Sequence, residues 1–254
     1  MTARSSLAGR WAPCWLAIVA SVCLVGCVNG RAGPSGTSGP RVVHFSSYDW
    51  EVKTSGDLAV GPGPNVFSDN AANVTVDSSD ALHLAIRRSG RGWRCAEVVL
   101  NRSLGYGRYT FVLESGFERL DHNAVLGLFT WDSGAPEVNN REIDIEFSRW
   151  GVPVNQNGQF VVQPYSEPNR LFRFNFPIAP ASEHSFSWTR DAVTFESRPT
   201  GGGSTTWTFG GPMVPTSANE HVRINLWLFN RRPPSNDQDQ EVIIRSFQFV
   251  PVVS

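Results

Sequence analysis

Lysine is almost missing from this sequence. Lys53 stands alone, and arginine supplies the rest of the strong basic charge; that skew reflects genome composition more than chemistry. An excess of either sign is missing as well: 22 Lys and Arg face 23 Asp and Glu, for a net charge of −1. With no basic stripe and no acidic tail, nothing in the chain suits a nucleic-acid partner. Cysteine is scarce, at four in 254 residues. No His/Cys cluster has the spacing of a zinc site, and His44, His83, His122, His184 and His221 are scattered, as structural or surface histidines are. No window of useful length carries a sustained helical stripe. Aromatic residues, by contrast, are plentiful, with nine Trp and sixteen Phe. Trp is rarely used in bulk merely to fill a core. Sandwich packing is one reading of them; sugar stacking is the other, because pyranose C–H faces pack on rings that keep one polar edge wet.

The first residues form an address. Arg4 and Arg10 precede an apolar run from Trp11 to Val25 that ends in Leu24-Val25-Gly26-Cys27. A basic start, a short apolar segment and small residues before the cut describe an export signal, and the run is too short for a convincing membrane span. The ending resembles the bacterial lipobox, which implies cleavage before Cys27 and lipid on its thiol. Lipid chains hold a protein on a membrane surface without spanning it. Residues 1–26 are thus expected to leave as a signal peptide, taking Cys14 and Cys23 with them. With Cys27 lipidated, Cys95 remains alone, so no intramolecular disulfide is possible in the mature chain. Residues 27–40 then carry the lipidated Cys27 and a spacer, because Asn29 to Pro40 is rich in Gly, Ser and Pro. The predicted product is an exported lipoprotein of the bacterial cell envelope.

From Arg41 to Ser254 the chain reads as one all-β domain. Val74–Val76 and Leu82–Ile86 flank the turn residues Asp77-Ser-Ser-Asp80 and predict a hairpin. Tyr109–Leu113, Phe160–Val162, His184–Trp188, Val193–Phe195, Arg223–Trp227 and Val242–Phe249 continue the pattern. Many short strands with Gly/Pro turns predict a jelly-roll β-sandwich, two curved antiparallel sheets with a concave cleft.

Arg141-Glu-Ile-Asp-Ile-Glu-Phe147 is the informative segment. Side chains alternate along a strand, so Glu142, Asp144 and Glu146 share one face while Ile143, Ile145 and Phe147 point into the packed side. Crowded like charges repel, and a purely structural strand avoids them. On a concave sheet, Glu142 and Glu146 can lean inward until their carboxyls stand roughly 5–5.5 Å apart, the separation of a retaining glycosidase. One Glu attacks the anomeric carbon; the other protonates the leaving oxygen and then activates water. Asp144 between them raises its neighbour's pKa and holds the nucleophile by a shared hydrogen bond. Spacing alone leaves open which Glu is which.

With these residues in place, the sequence resembles the family sixteen glycoside hydrolases, the group of bacterial lichenases and laminarinases. Glu142–Phe147 looks like the family signature in its unbulged form. Cys95-Ala-Glu97, Gly105–Tyr109, Leu128–Trp131, Asn225-Leu-Trp227 and Val242–Phe249 look like its flanking strands. The resemblance implies a retaining mechanism with Glu142 as nucleophile, Asp144 as its helper and Glu146 as acid/base. It implies that Phe129, Trp131, Gln163, Tyr165, Asn225 and Trp227 contact sugar. No cofactor is expected; calcium is often structural in this family, but no diagnostic ligand spacing for it is present. The chain also departs from the pattern. Asn140 stands where lichenases carry Trp, Cys95 lacks the partner of their disulfide, and Ser148-Arg149-Trp150-Gly151 replaces a short turn. Trp150 is expected to rebuild part of the lost sugar platform, and substrate specificity does not transfer.

The expected function is a retaining endo-glycosidase acting on β-linked polysaccharide, a β-glucan or a related glycan. Two alternatives stand beside it: a cell-surface transglycosylase on the same site, since a sugar as well as water resolves a glycosyl-enzyme, and a non-catalytic glycan-binding module. The expected partners are polysaccharide and, through Cys27, a membrane, with the domain acting as a monomer.

Overall fold

A computed structural model describes residues 39–252 except Arg91 and Ser115. The export signal, Cys27 and nearly all of the spacer lie outside the described residues. Sixteen strands follow one another: β1 (Val42–Phe45), β2 (Tyr48–Val52), β3 (Val74–Val76), β4 (Leu82–Ser89), β5 (Gly92–Arg94), β6 (Ala96–Ser103), β7 (Gly107–Glu114) and β8 (Ala124–Trp131). The second half holds β9 (Ile143–Phe147), β10 (Gly158–Val162), β11 (Leu171–Phe174), β12 (Ala181–Trp188), β13 (Ala192–Pro199), β14 (Thr205–Gly210), β15 (His221–Leu228) and β16 (Gln240–Pro251). Among the described residues the only helices are short 3-10 turns, as the missing helical stripe requires.

Two antiparallel sheets pack face to face as a jelly roll. One runs β1-β2-β6-β15-β8-β9-β10-β11; the other runs β14-β13-β12-β7-β16-β4-β3, with β5 on β4. The predicted hairpin is present as β3 and β4, paired Val74 to Leu84. Its turn closes because Asp77 Oδ1 accepts the amides of Ser79 at 2.8 Å and Ala81 at 2.9 Å, and Asp80 takes the left-handed φ of 61° that Asp tolerates.

The core between the sheets is largely aromatic. Phe45, Phe67, Phe111, Phe147, Phe160, Phe186 and Phe195 are fully buried alongside Trp50, Trp188 and Tyr109. Each such ring contributes roughly 1.5–3 kcal/mol by leaving water. His184 belongs to this core: its ring nitrogens meet the Ser182 and Ser197 hydroxyls at 2.8 and 2.9 Å, and its ring packs 4.7 Å from that of Phe147. Burial holds its pKa down at about 3, so it is a neutral packing residue. Cys95 is buried and unpaired, its thiol pushed up to about 12 by burial and therefore inert.

The described tryptophans take different places in the fold. Trp50 and Trp188 fill the core, whereas Trp131, Trp150 and Trp227 line a cleft on the outer face of the first sheet.

Candidate active site

The cleft has a volume of about 880 Å³, and the register of the first sheet builds its floor. β9 lies between β8 and β10, with Glu146 opposite Gly127 on one side and Gln159 on the other. Beyond Gly127 comes Asn225 of β15, then Glu97 of β6; beyond Gln159 comes Arg173 of β11. One row of cross-strand neighbours therefore reads Glu97, Asn225, Gly127, Glu146, Gln159, Arg173. The next row passes through Arg223, Phe129, Asp144 and Val161. Alternation accounts for both faces: Ile143, Ile145 and Phe147 are buried under β9 while Glu142, Asp144 and Glu146 open into the cleft.

Gly127 makes the space in front of Glu146. A Cβ at that position would stand 2.5 Å from Asn225 Oδ1, so only glycine leaves the gap between Asn225 and the carboxylates open. Glu142 is aimed by a strained turn. Asn139, Asn140 and Arg141 all have left-handed φ, at 52°, 54° and 54°, a cost that surrounding contacts must offset. Arg141 does much of this, its Nε lying 3.2 Å from Asp132 Oδ2 and its Nη1 donating to the Thr216 carbonyl. The Thr130 hydroxyl donates to the Arg141 carbonyl at 2.9 Å.

Three carboxyls this close and this buried cannot all carry charge. Burial raises Glu142, the charge of Glu146 raises it further, and a hydrogen bond with Asp144 pulls it back. Burial also raises Asp144, followed by the charges of Glu142 and Glu146. A hydrogen bond joins the two, and they titrate as a pair whose protons are held well above the ordinary carboxylate range. Burial likewise pushes Glu146 up to about 7, against the lowering effects of Gln159 and Arg173. Gln159 Nε2 donates to Glu146 Oε2 at 2.6 Å, and Gln163 Nε2 donates to Asp144 Oδ2 at 3.1 Å. The arrangement supplies a coupled carboxyl pair that shares its protons and one separate acid poised near neutrality.

The walls are apolar and aromatic. Trp150 and Trp227 have ring centroids 6.5 Å apart, with Phe229 5.7 Å from Trp150. Trp131 lies beneath Arg223, 5.9 Å from its guanidinium carbon. Tyr165 stands exposed at the rim, 66% accessible, its amide donating to Gln163 Oε1 at 2.8 Å. All ten residues expected to touch substrate or do chemistry line this one cleft: Phe129, Trp131, Glu142, Asp144, Glu146, Trp150, Gln163, Tyr165, Asn225 and Trp227. Among the described residues no group of three or more His, Cys, Asp and Glu is placed to hold a metal ion, so no calcium ligands can be named.

No protein-family model and no curated protein matches the chain. Solved structures do. A β-glucanase of Bacillus licheniformis matches at a TM-score of 0.60 and 16% identity, over 84% of this chain and 98% of its own. A β-1,3-1,4-glucanase (lichenase) from a mouse hindgut metagenome gives 0.60 and 17%, over 84% and 99%. The fold is that of the β-glucanases. A structure described as a native glycosidic hydrolase agrees, at a TM-score of 0.61, 21% identity and coverage of 84% and 96%.

Within this β-glucanase fold, several cleft residues carry no mark that sequence patterning detects. Gln159 falls at the end of what reads as a long loop after Ser148, yet β10 begins at Gly158 and sets Gln159 directly across from Glu146. Glu97 is buried and joins Lys53 and Arg223, each at 2.9 Å, with Asn225 Nδ2 donating to it at 3.3 Å. The segment from Lys53 to Pro62 forms one bank, tied down by Lys53 Nζ donating to the Gly61 carbonyl at 2.8 Å. The parity of β10 was the signal available for Gln159. Glu97 and Asn225 stand in motifs singled out above, but their network with Lys53 and Arg223 joins segments far apart in the chain and offered no local signal.

Proposed function

We propose that this domain is a retaining endo-glycosidase that hydrolyses β-linked polysaccharide by double displacement. The observation that carries the proposal is the carboxyl trio: Asp144 buried and Glu142 and Glu146 half-buried, carried by β9 and the residue just before it, raised in pKa and set in the floor of an open aromatic cleft. Glu142 attacks the anomeric carbon as Glu146 gives its proton to the glycosidic oxygen, and the leaving sugar departs as an alcohol. Glu146, now a carboxylate, takes a proton from water; the hydroxide adds to the anomeric carbon and Glu142 is released. Asp144 holds Glu142 by its hydrogen bond and tempers its charge. Trp131, Trp150 and Trp227 stack on sugar faces, and the cleft continues on both sides of the trio, as an endo-acting site needs.

The neighbours' printed descriptions support a glycan substrate. A variant of a Zobellia galactanivorans protein, 12% identical with a TM-score of 0.58, is described in complex with laminaritriose and laminaritetraose. A Mycobacterium tuberculosis protein at 14% and 0.62 is described as a pseudo β-1,3-glucanase, which keeps the non-catalytic module as the outcome to exclude. A transglycosylase would use the same trio with a sugar in place of the second water. Export and lipidation at Cys27 complete the proposal, holding the enzyme at the cell envelope.

The test is a panel of purified β-glucans, galactans, xyloglucan and envelope extracts, followed by reducing ends and product anomers. New reducing ends with initially β products, absent in Glu142→Gln, support the proposal. Redistributed chain lengths without new ends indicate transglycosylation, and binding without any product indicates the module.

A further inference from the structure

The two ends of the cleft differ in charge. At the β6 end Lys53 and Arg223 both pair with the buried Glu97. At the β11 end Arg173 lines the cleft, exposed to solvent, with no carboxylate within 4.0 Å among the described residues. Its guanidinium carbon stands 5.8 Å from the Trp150 ring centre, a cation–π arrangement that keeps the fork oriented without using its N–H groups. Two further arginines belong to the segments that flank Trp150 and Phe229. Arg149 donates to the Asn155 carbonyl, and Arg232 Nη1 lies 3.2 Å from where a Cβ on residue 151 would stand. Neither has a carboxylate partner among the described residues.

A second observation points to a ligand here. Gln159, 5% exposed, stands between Glu146 and Arg173, and its Oε1 is buried without a hydrogen-bond donor. A buried acceptor of this kind costs about 1–3 kcal/mol unless something donates to it; a sugar hydroxyl would do so after a small rotation of the Gln159 amide, and such a sugar would lie next to Arg173. Arg173 is two strands from Glu146, about 10 Å across the sheet. The Arg173 charge is still felt at Glu146, so a negative group there is offset by the guanidinium it pairs with and is near enough to belong to the same bound chain.

We infer that the glycan taken by this cleft carries an anionic substituent, a carboxylate or a sulfate ester, on the sugar seated against Trp150, and that Arg173 reads it by paired N–H donation. This rests on the glycosidase reading and adds the chemical class of its substrate. Planar bidentate recognition of an oxyanion is what arginine does and lysine does not.

The experiment compares oligosaccharides of β-1,3-glucan, β-1,4-glucan and β-galactan with the same oligosaccharides oxidised to the uronate or sulfated at C6. It measures kcat/KM and, by calorimetry, Kd, for the wild-type protein and Arg173→Gln, at low salt and at high salt. The expected result is that at least one anionic series is preferred over its neutral parent by about 10-fold or more. That preference falls toward parity in Arg173→Gln and shrinks at high salt. Equal use of neutral and charged chains, or a preference untouched by Arg173→Gln, overturns the inference while leaving the glycosidase standing. Charged chains that bind in an Arg173-dependent way but are never cleaved uphold the inference and sink the glycosidase. No binding of any member sinks both.

Discussion

Replacing Glu146 with Gln should stabilise the folded protein at high pH and not at low pH. The amide keeps the size of the side chain and still offers an oxygen to Gln159, whose Nε2 donates to Glu146 at 2.6 Å. Burial raises Glu146 from an ordinary 4.5 to about 7. A folded state whose carboxyl has a raised pKa binds the proton more tightly than the unfolded chain. The stability it contributes is therefore complete below about 4.5 and is lost as pH climbs through about 7. Each pKa unit is worth 1.36 kcal/mol, so the displacement amounts to roughly 3 kcal/mol, and partial access to solvent reduces it to about 2–3 kcal/mol. The glutamine variant has nothing to lose over that range. Urea unfolding of both proteins at pH 4 and pH 8.5 measures the difference directly. For a domain of this size the gain at pH 8.5 corresponds to a Tm higher by ~5–10 °C, with near equality at pH 4. An offset that is the same at both values, or larger at pH 4, refutes the account of a buried, proton-hungry Glu146.

The trio also makes kinetic predictions. Glu142→Gln and Glu146→Gln should each lose turnover by about 10²–10⁴-fold or more on a natural glycan, with circular dichroism unchanged; Asp144→Asn should lose most of its activity, and near-normal rates in Glu142→Gln would refute the mechanism. Trp227→Ala should raise KM on polysaccharide more than it lowers Tm, because the ring faces the cleft beside Trp150; a purely thermal defect would return Trp227 to a packing role. Arg141→Met should leave the buried Asp132 unpaired and release the strained turn before Glu142, at a cost of about 1–3 kcal/mol in urea unfolding and with a fall in kcat that exceeds any change in KM.

Local chemistry made much of this molecule legible. Alternation in Glu142–Phe147 placed three acids on one face and three apolar side chains on the other, and the sheet uses both faces in that way. The hairpin at Val74–Ile86 followed from Asp77 and Asp80, whose turn chemistry lies within a few residues. What stayed hidden depended on partners distant in the chain. Lys53, Glu97, Arg223 and Asn225 form one network, yet residues from 53 to 225 meet only because β15 inserts between β6 and β8. Arg173 looks like one more arginine until β11 closes the edge of the sheet. Gln159 was hidden for a smaller reason, a strand that begins two residues earlier than its apolar pattern shows.

The three acids follow one another along one stretch of backbone instead of being gathered from separate loops. Asp144 and Glu146 stand on β9, clamped by β8 and β10 on either side, and Glu142 stands on the residue just before it, held by the turn that Arg141 ties to Asp132. Such a site has no partly assembled state. On heating, the proposed activity is expected to persist in every molecule that is still folded and to vanish with the sheet itself, so that thermal inactivation and loss of the fold trace one curve.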